Sequence, residues 1–258
     1  MSGADAENMG IRTLRRGVAG CATLLAAALL GGCGGTGASV VGVNPPASGP
    51  ITKAQAVAYA HAVNLRAGDL PGFTSSRSET EAPKPGQLAL EEIRCSGGVS
   101  PARRIAKMES TEFSSGRAFY GKVMKSTVEV WPTPALVASS NVLSHKSRAR
   151  ACFVRFLKAL HERTNQERKG RMQIGPFTIA TVPNPLPGVS DSFLTAINET
   201  RLLRSGAIRA HIYRDIFGFT TGPAEIELEA IGIGRPVPTS AEAQALQLLL
   251  DRAMANTV

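Results

Sequence analysis

Aromatic side chains are scarce in this chain, where Phe, Trp and Tyr make up 5% of the residues and Trp occurs once. Reading of nucleic acids leans on stacking platforms and on a few recognisable motifs. Neither is present, so nucleic acid is not an expected partner. Catalytic signatures are missing as well. No G-x-S-x-G, S-x-x-K or H-E-x-x-H occurs, and His161-Glu162 continues into Arg-Thr-Asn, so it is not a zinc helix. Gly232-x-Gly234 runs into Arg235-Pro236 and lacks the rest of a dinucleotide fingerprint. There is no C-x-x-C. The four histidines, His61, His145, His161 and His211, are scattered without an i,i+4 pair, and each reads as a surface or helix-end residue. No metal and no cofactor is expected.

Long apolar runs are absent too, apart from residues 18–30, which are rich in Ala and Leu. That run is too short for a convincing membrane span. Arg12, Arg15 and Arg16 precede it and small residues follow it, the arrangement of a secretory signal. The Arg15-Arg16 pair admits a twin-arginine route, but the weakly hydrophobic Gly17-Val18-Ala19 favours the general secretory one. The start at Met1 or at Met9 stays open.

The run closes on Leu30-Gly31-Gly32-Cys33. An aliphatic residue, two small residues and a cysteine resemble the lipobox of bacterial lipoproteins. The resemblance implies cleavage before Cys33, a diacylglycerol thioether on that cysteine, and attachment to the outer face of the cell membrane. Two or three acyl chains hold a protein there stably, where one does not. Simple secretion with cleavage near Gly32 is the alternative. Residues 34–50 are small, polar and rich in Gly and Pro, and read as a flexible tether spanning roughly 20–25 Å. The expected organisation is a signal over residues 1–32, a lipidated Cys33 with its tether to residue 50, and one folded domain over residues 51–258.

Cysteine is rare, at four residues. Cys21 would leave with the signal and Cys33 would carry lipid. Cys95 and Cys152 remain, an even pair in an oxidising compartment, so a disulfide is expected. It would close a loop of about 58 residues, worth on the order of 4 kcal/mol in the chain-entropy account. Two free buried thiols are the alternative.

Acidic residues are outnumbered, 20 against 29 basic, for a net charge of +9. Residues 144–171 hold nine Lys/Arg and two Glu, so the excess is local. Residues 146–163 form an amphipathic helix pattern. Ala149, Cys152, Phe153, Phe156 and Leu160 share one face, and Arg148, Arg150, Arg155 and Lys158 share the other. The basic face reads either as a solvated helix surface or as a contact with phosphates or another anionic surface.

Elsewhere the periodicity places further elements. Thr52-Lys53-Ala54-Gln55 is a capping box for a helix running to about residue 67, with Gly68 as its stop and Val57, Ala60 and Val63 as its apolar face. Residues 74–90 read as a loop. Residues 105–114 and 119–131 read as strands, the second with Met124, Ser126, Val128 and Val130 on one face and Lys125, Thr127 and Glu129 on the other. Thr133-Pro134 opens a short helix. Residues 171–182, 192–203, 207–217 and 224–233 have strand character. In the last, Ile226, Leu228 and Ala230 alternate with Glu225, Glu227 and Glu229, one face buried and one wet. Joined through residues 218–223, the third strand should set Arg209, His211 and Tyr213 across from those glutamates as a charge ladder, not an acid/base array. Thr239-Ser240-Ala241-Glu242 reads as a second capping box, opening a helix with the stripe Leu246, Leu249, Leu250, Ala253 and Met254.

This order of elements resembles the extracellular sensor domains of mycobacterial membrane Ser/Thr kinases and related PsbP-like lipoproteins. The local echoes are Phe113-Ser114-Ser115, Ala151-Cys152-Phe153, Asp191-Ser192, Tyr213-Arg214-Asp215 and Phe217-Gly218-Phe219 with Gly222. The resemblance implies an α+β fold, an α/β/α sandwich on a central antiparallel sheet, serving as a non-catalytic sensor-like module with a cleft. That family often has two disulfides, and this chain has cysteines for one. The expected function is therefore a lipid-anchored binding module of an actinobacterial-type envelope, whose partner is an envelope lipid, glycan or protein. Two alternatives stay open: an envelope hydrolase or transferase whose residues converge only in the fold, and a structural scaffold at an anionic surface. Neither the ligand nor the oligomeric state can be read from the sequence.

Overall fold

The computed structural model describes residues 50–258 apart from 77–79, 82–89, 92, 95–96, 117–120, 141–145, 168–171, 190 and 204. The expected signal, Cys33, the tether up to residue 49, and Cys95 lie outside the described residues.

Helix α1 (Lys53–Val63) opens on the expected capping box. Thr52 Oγ1 accepts from the Gln55 N–H, and Gln55 Oε1 accepts from the Thr52 N–H at 2.9 Å. The helix stops four residues earlier than the Gly68 signal suggested. Asn64 is fully buried and turns extended, because its amide donates to the Met108 carbonyl at 3.2 Å and its oxygen accepts from Ser126 Oγ at 2.9 Å. Those side-chain bonds replace the backbone bonds that another helical turn would have made. Gly68 instead takes φ +90° in the following turn, a conformation glycine adopts without strain. The buried face comprises Ala56, Tyr59, Ala60 and Val63, with Val57 only partly covered.

The strands are β1 (Thr74–Ser75), β2 (Thr80–Glu81), β3 (Ala106–Glu109), β4 (Phe113–Ser115), β5 (Lys122–Val130), β6 (Met172–Pro183), β7 (Asp191–Leu203), β8 (Ile208–Thr221) and β9 (Ala224–Ile233). All their pairings are antiparallel, in the order β1-β4-β5-β9-β8-β7-β6, with β3 lying beside β5 and β2 beside β3. The segment expected as a loop thus contributes β1 and β2. The single strand expected at residues 105–114 is β3 and β4, two pieces along one edge of β5. Between them the register advances by one residue, from Glu109 opposite Thr127 to Phe113 opposite Met124. Ser110 Oγ fills the gap by accepting the Ser126 N–H at 2.8 Å. Without that bulge Phe113 would point away from Ala106 and Met108; with it all three enter the same core.

The alternation of β5 holds. Met124, Ser126, Val128 and Val130 are fully buried and stand opposite Ala230, Leu228, Ile226 and Ala224 of β9. Helix α1 and helix α4 (Thr239–Ala255) cover this face with Ala245, Leu246, Leu249, Leu250 and Ala253, whereas Met254 is 54% exposed. The second capping box does not form. Helix α4 starts after Pro238 with no side-chain cap, and Glu242 is buried instead of reaching back to the N-terminus. Helices α2 (Pro134–Ser140) and α3 (Ser147–Glu167) lie on the opposite face of the sheet, α2 over β8 and β9 and α3 over β6. Thr133 Oγ1 accepts from the Leu136 N–H, so the short helix begins where its Thr-Pro signal stands. The described residues thus form an α+β fold with helices on both faces of one antiparallel sheet.

Strand β8 runs four residues further than its sequence suggested. Gly218 read as a turn, but it sits in the strand, and the turn to β9 is only Gly222-Pro223. The reason is Phe193, whose ring lies against Gly218, where a Cβ would stand 2.3 Å from the ring carbons.

Candidate functional site

The longer β8 moves every partner of β9. Glu225, Glu227 and Glu229 face Thr220, Gly218 and Ile216, not Arg209, His211 and Tyr213. The expected partners of the β9 glutamates are therefore replaced by other cations. Glu229 pairs with Lys125 at 3.1 Å and with Arg214 at 3.2 Å, and Glu129 pairs with Arg104 and with Lys107. Nor is this face wet. Ser140 of α2 donates to Glu225 at 3.0 Å. Burial, reinforced by neighbouring carboxylates, pushes Glu225 up to about 8 and Glu227 up to about 7. The row is a covered polar seam beneath α2.

His161 is likewise not a surface residue. It stands 3.4 Å from Glu199 and edge-on to Phe177, with ring centroids 4.6 Å apart. Burial lowers its pKa against the pull of Glu199. Asn165, one turn further on, bonds both the N–H and the C=O of Ile174 at 2.7 and 2.8 Å. Together these contacts fasten α3 to β6 and β7.

The face shared with α1 and α4 divides in two. Over β5 and β9 it is closed, with Ile226 and Leu228 at 0% exposure; over β6 it is open, with Val182 at 47%. The register places Thr178, Ala180 and Val182 of β6, Ala196 and Asn198 of β7, and His211 and Tyr213 of β8 on this open part. A bulge in β6, where Gly175 and Pro176 stand against Thr200, bends the strand and hollows the surface. The resulting concavity, about 190 Å³, is lined by Pro176, Phe177, Thr178, Asn198, Glu199, Thr200, His211, Ile212 and Tyr213. Hydroxyl, amide and imidazole groups thus sit beside aromatic and aliphatic carbon, the mixture by which small ligands are oriented.

At the border of the closed and open halves, Glu242 of α4 lies beside Asp215 of β8, two acidic groups close enough for each to shift the other's proton affinity. Burial first, and then the neighbouring carboxyl, pushes Glu242 up to about 8. Asp215 is also raised by burial, although Glu242 opposes that shift. No local pattern signals this pair, because Glu242 imitates a cap residue in the sequence.

Of the residues singled out by sequence, Arg148, Arg155 and Lys158 project from the exposed side of α3, and Arg150 is half-buried. Cys152 sits half-buried on the inner side of the same helix. These residues are remote in sequence from the concavity and do not line it. Among the described residues no helix is long and apolar enough to cross a membrane, and no group of three or more His, Cys, Asp and Glu could hold a metal ion.

No protein-family model matches the chain, and no curated protein matches it. Among solved structures it is similar to the extracellular domain of PknH from Mycobacterium tuberculosis, at 11% identity and a TM-score of 0.40, over 81% of this chain and 99% of that one. Likeness at that level assigns neither a family nor a function.

Proposed function

We propose that the chain is an exported lipoprotein, and that its folded part is a non-catalytic, sensor-like binding module on the outer face of a bacterial membrane. Acyl chains on Cys33 would hold it there, and an envelope lipid or glycan, or a protein segment, would occupy the open part of the sheet. One observation carries the binding reading: the same sheet face is sealed by helices over β9 and left open over β6 to β8, where it is hollowed. A sheet face that serves only stability has no reason to stay half-covered.

A photoreactive residue at Tyr213 of the full chain, expressed in its own membrane, should give an adduct that is absent when the residue is placed at Arg148. If irradiation yields no adduct at 213, the binding reading has lost its site. The anchor is tested separately. A Cys33→Ala chain should leave the membrane fraction, and its retention there would contradict lipidation.

The expected Cys95–Cys152 bridge belongs to the same reading, since it needs an oxidising compartment. What supports it is the even pair of cysteines left once Cys21 and Cys33 are accounted for. Intact mass before and after reduction checks it.

A scaffold at an anionic surface is the second reading, favoured by the exposure of Arg148, Arg155 and Lys158. Replacing Arg148, Arg150, Arg155 and Lys158 with Glu should weaken salt-sensitive attachment to anionic vesicles. Unchanged attachment removes that reading.

A further inference from the structure

Strand β6 closes one end of the sheet order, and among the described residues only β7 pairs with it. Two contacts fix which of its residues turn their backbone outward. The Asn184 N–H donates to the Ser192 carbonyl at 3.2 Å. Residue 184 therefore faces β7, and by antiparallel alternation residues 177, 179, 181 and 183 face away from it. At the other end of the strand, Asn165 of α3 accepts from the Ile174 N–H at 2.7 Å and donates to the Ile174 carbonyl at 2.8 Å. That side-chain amide does for Ile174 what a further strand would do. The bulge adds one residue between Ile174 and Phe177, so both face outward. The outward groups of Phe177, Ile179 and Thr181 have no such partner among the described residues. Pro183 has no N–H to offer.

Edge strands are usually blunted by charge or proline within their length. Here Pro176 and Pro183 stand at the borders, and the stretch between them, Phe-Thr-Ile-Ala-Thr-Val, has no charge and strong strand propensity. Outward donors and acceptors repeating every second residue are matched by an extended backbone.

Helix α3 selects the charge of that backbone's side chains. Asn165 meets Ile174 and His161 meets Phe177, so the helix runs antiparallel along β6. Lys158 stands about two turns before Asn165 on the same side of the helix, abreast of the unpaired stretch. Arg155 is one turn earlier and more toward solvent. Both are exposed, and neither has an ion-pair partner among the described residues. Glu162 shares that side and is exposed too. Arg163, on the far flank, is taken by Glu91 at 3.8 Å. A strand laid about 4.8 Å from β6 would send alternate side chains toward α3, where carboxylates would meet Lys158 and Arg155. The chain's own tether, residues 34–49, holds no Asp or Glu. A second copy would bring another uncharged β6, and twofold pairing would set its basic α3 beside this one.

We propose that the outer edge of β6, from Phe177 to Thr181, takes up an extended acidic segment of another protein as an added strand, with its carboxylates on Lys158 and Arg155. The contact is made by backbone groups of the edge and by the α3 side. It is separate from the concavity on the open sheet face.

The test uses the full chain in detergent micelles and a fluorescent synthetic peptide alternating Glu and Val. The peptide should bind, and added salt should weaken it. An added strand turns only every second N–H toward β6. N-methylation of one alternate set of peptide nitrogens should therefore weaken binding about tenfold, while methylation of the other set leaves it unchanged. Lys158→Glu and Arg155→Glu, both at exposed positions, should each weaken it by up to roughly fivefold. A peptide alternating Lys and Val should bind the doubly substituted chain better than the native one. Failure of the Glu–Val peptide to bind, equal losses from the two methylation patterns, or equal binding of the Lys–Val peptide to the native chain overturns the proposal. Hydrogen exchange reads the edge itself. The Ile179 and Thr181 amides should exchange quickly in the chain alone and slow when the Glu–Val peptide is added. Protection before any peptide is present would mean that a second copy or the chain's own N-terminal segment already fills the edge, and would overturn it as well.

Discussion

Glu242 on α4 lies against Asp215 on β8, so two acidic side chains meet where the helix covers the sheet. Two ionised carboxylates at this spot would repel, so the contact favours one of them staying protonated. Glu225 and Glu227, on the other face, are raised as well. A carboxyl whose folded-state pKa lies above its unfolded one stabilises fully below the unfolded value, and that contribution is lost as pH rises through the folded one. Here the window runs from the ordinary value of 4.5 up to about 8. The melting temperature should therefore fall as pH is raised from about 5 to about 9. Glu242→Gln, which stays neutral, should flatten part of that slope. Calorimetry across the range decides it, and a melting temperature that climbs with pH would contradict the assignment.

Gly218 is required by Phe193. An added Cβ would stand 2.3 Å from the ring, which is itself buried. Gly218→Ala should cost about 1–3 kcal/mol in denaturant unfolding, the usual range for overpacking. Pairing it with Phe193→Leu should recover part of the loss, because the two changes act on one contact. Strictly additive losses would mean that the ring does not set this position.

Ser126 joins three segments. Its hydroxyl donates to Asn64 and accepts the Leu65 N–H at 3.0 Å, while its own N–H reaches Ser110 Oγ. Ser126→Ala removes the hydroxyl without adding bulk and leaves buried polar groups of Asn64 and Leu65 without that partner. A loss of about 1–3 kcal/mol is expected. Hydrogen exchange at the end of α1 should quicken first.

Residues of the open sheet face should be dispensable for folding. Asn198→Ala is expected to change stability by no more than about 0.5 kcal/mol, as for other exposed positions. The same change should weaken whatever occupies the concavity. A large loss of stability would make Asn198 a structural residue and remove it from the site.

Much of the architecture was legible because its signals are local. The alternation in β5 and β9, the capping box of α1, the Thr-Pro start of α2 and the apolar stripe of α4 each depend on side chains one to eight positions apart. The readings that failed depended on distant residues. Gly218 looked like a turn until Phe193 closed over it, and Glu242 looked like a cap until it packed beside Asp215. His161 looked exposed until α3 lay down on β7.

By itself the sequence determined the strand and helix periods, the fate expected for each cysteine and the absence of familiar catalytic patterns, since all of these are written in neighbouring residues. Only the tertiary structure decided which cations meet the glutamates of β9 and which half of the sheet remains open. Those facts follow from strand register and from where each helix stops covering the sheet. Both are set by the packing of residues far apart in the chain, and no local pattern records them.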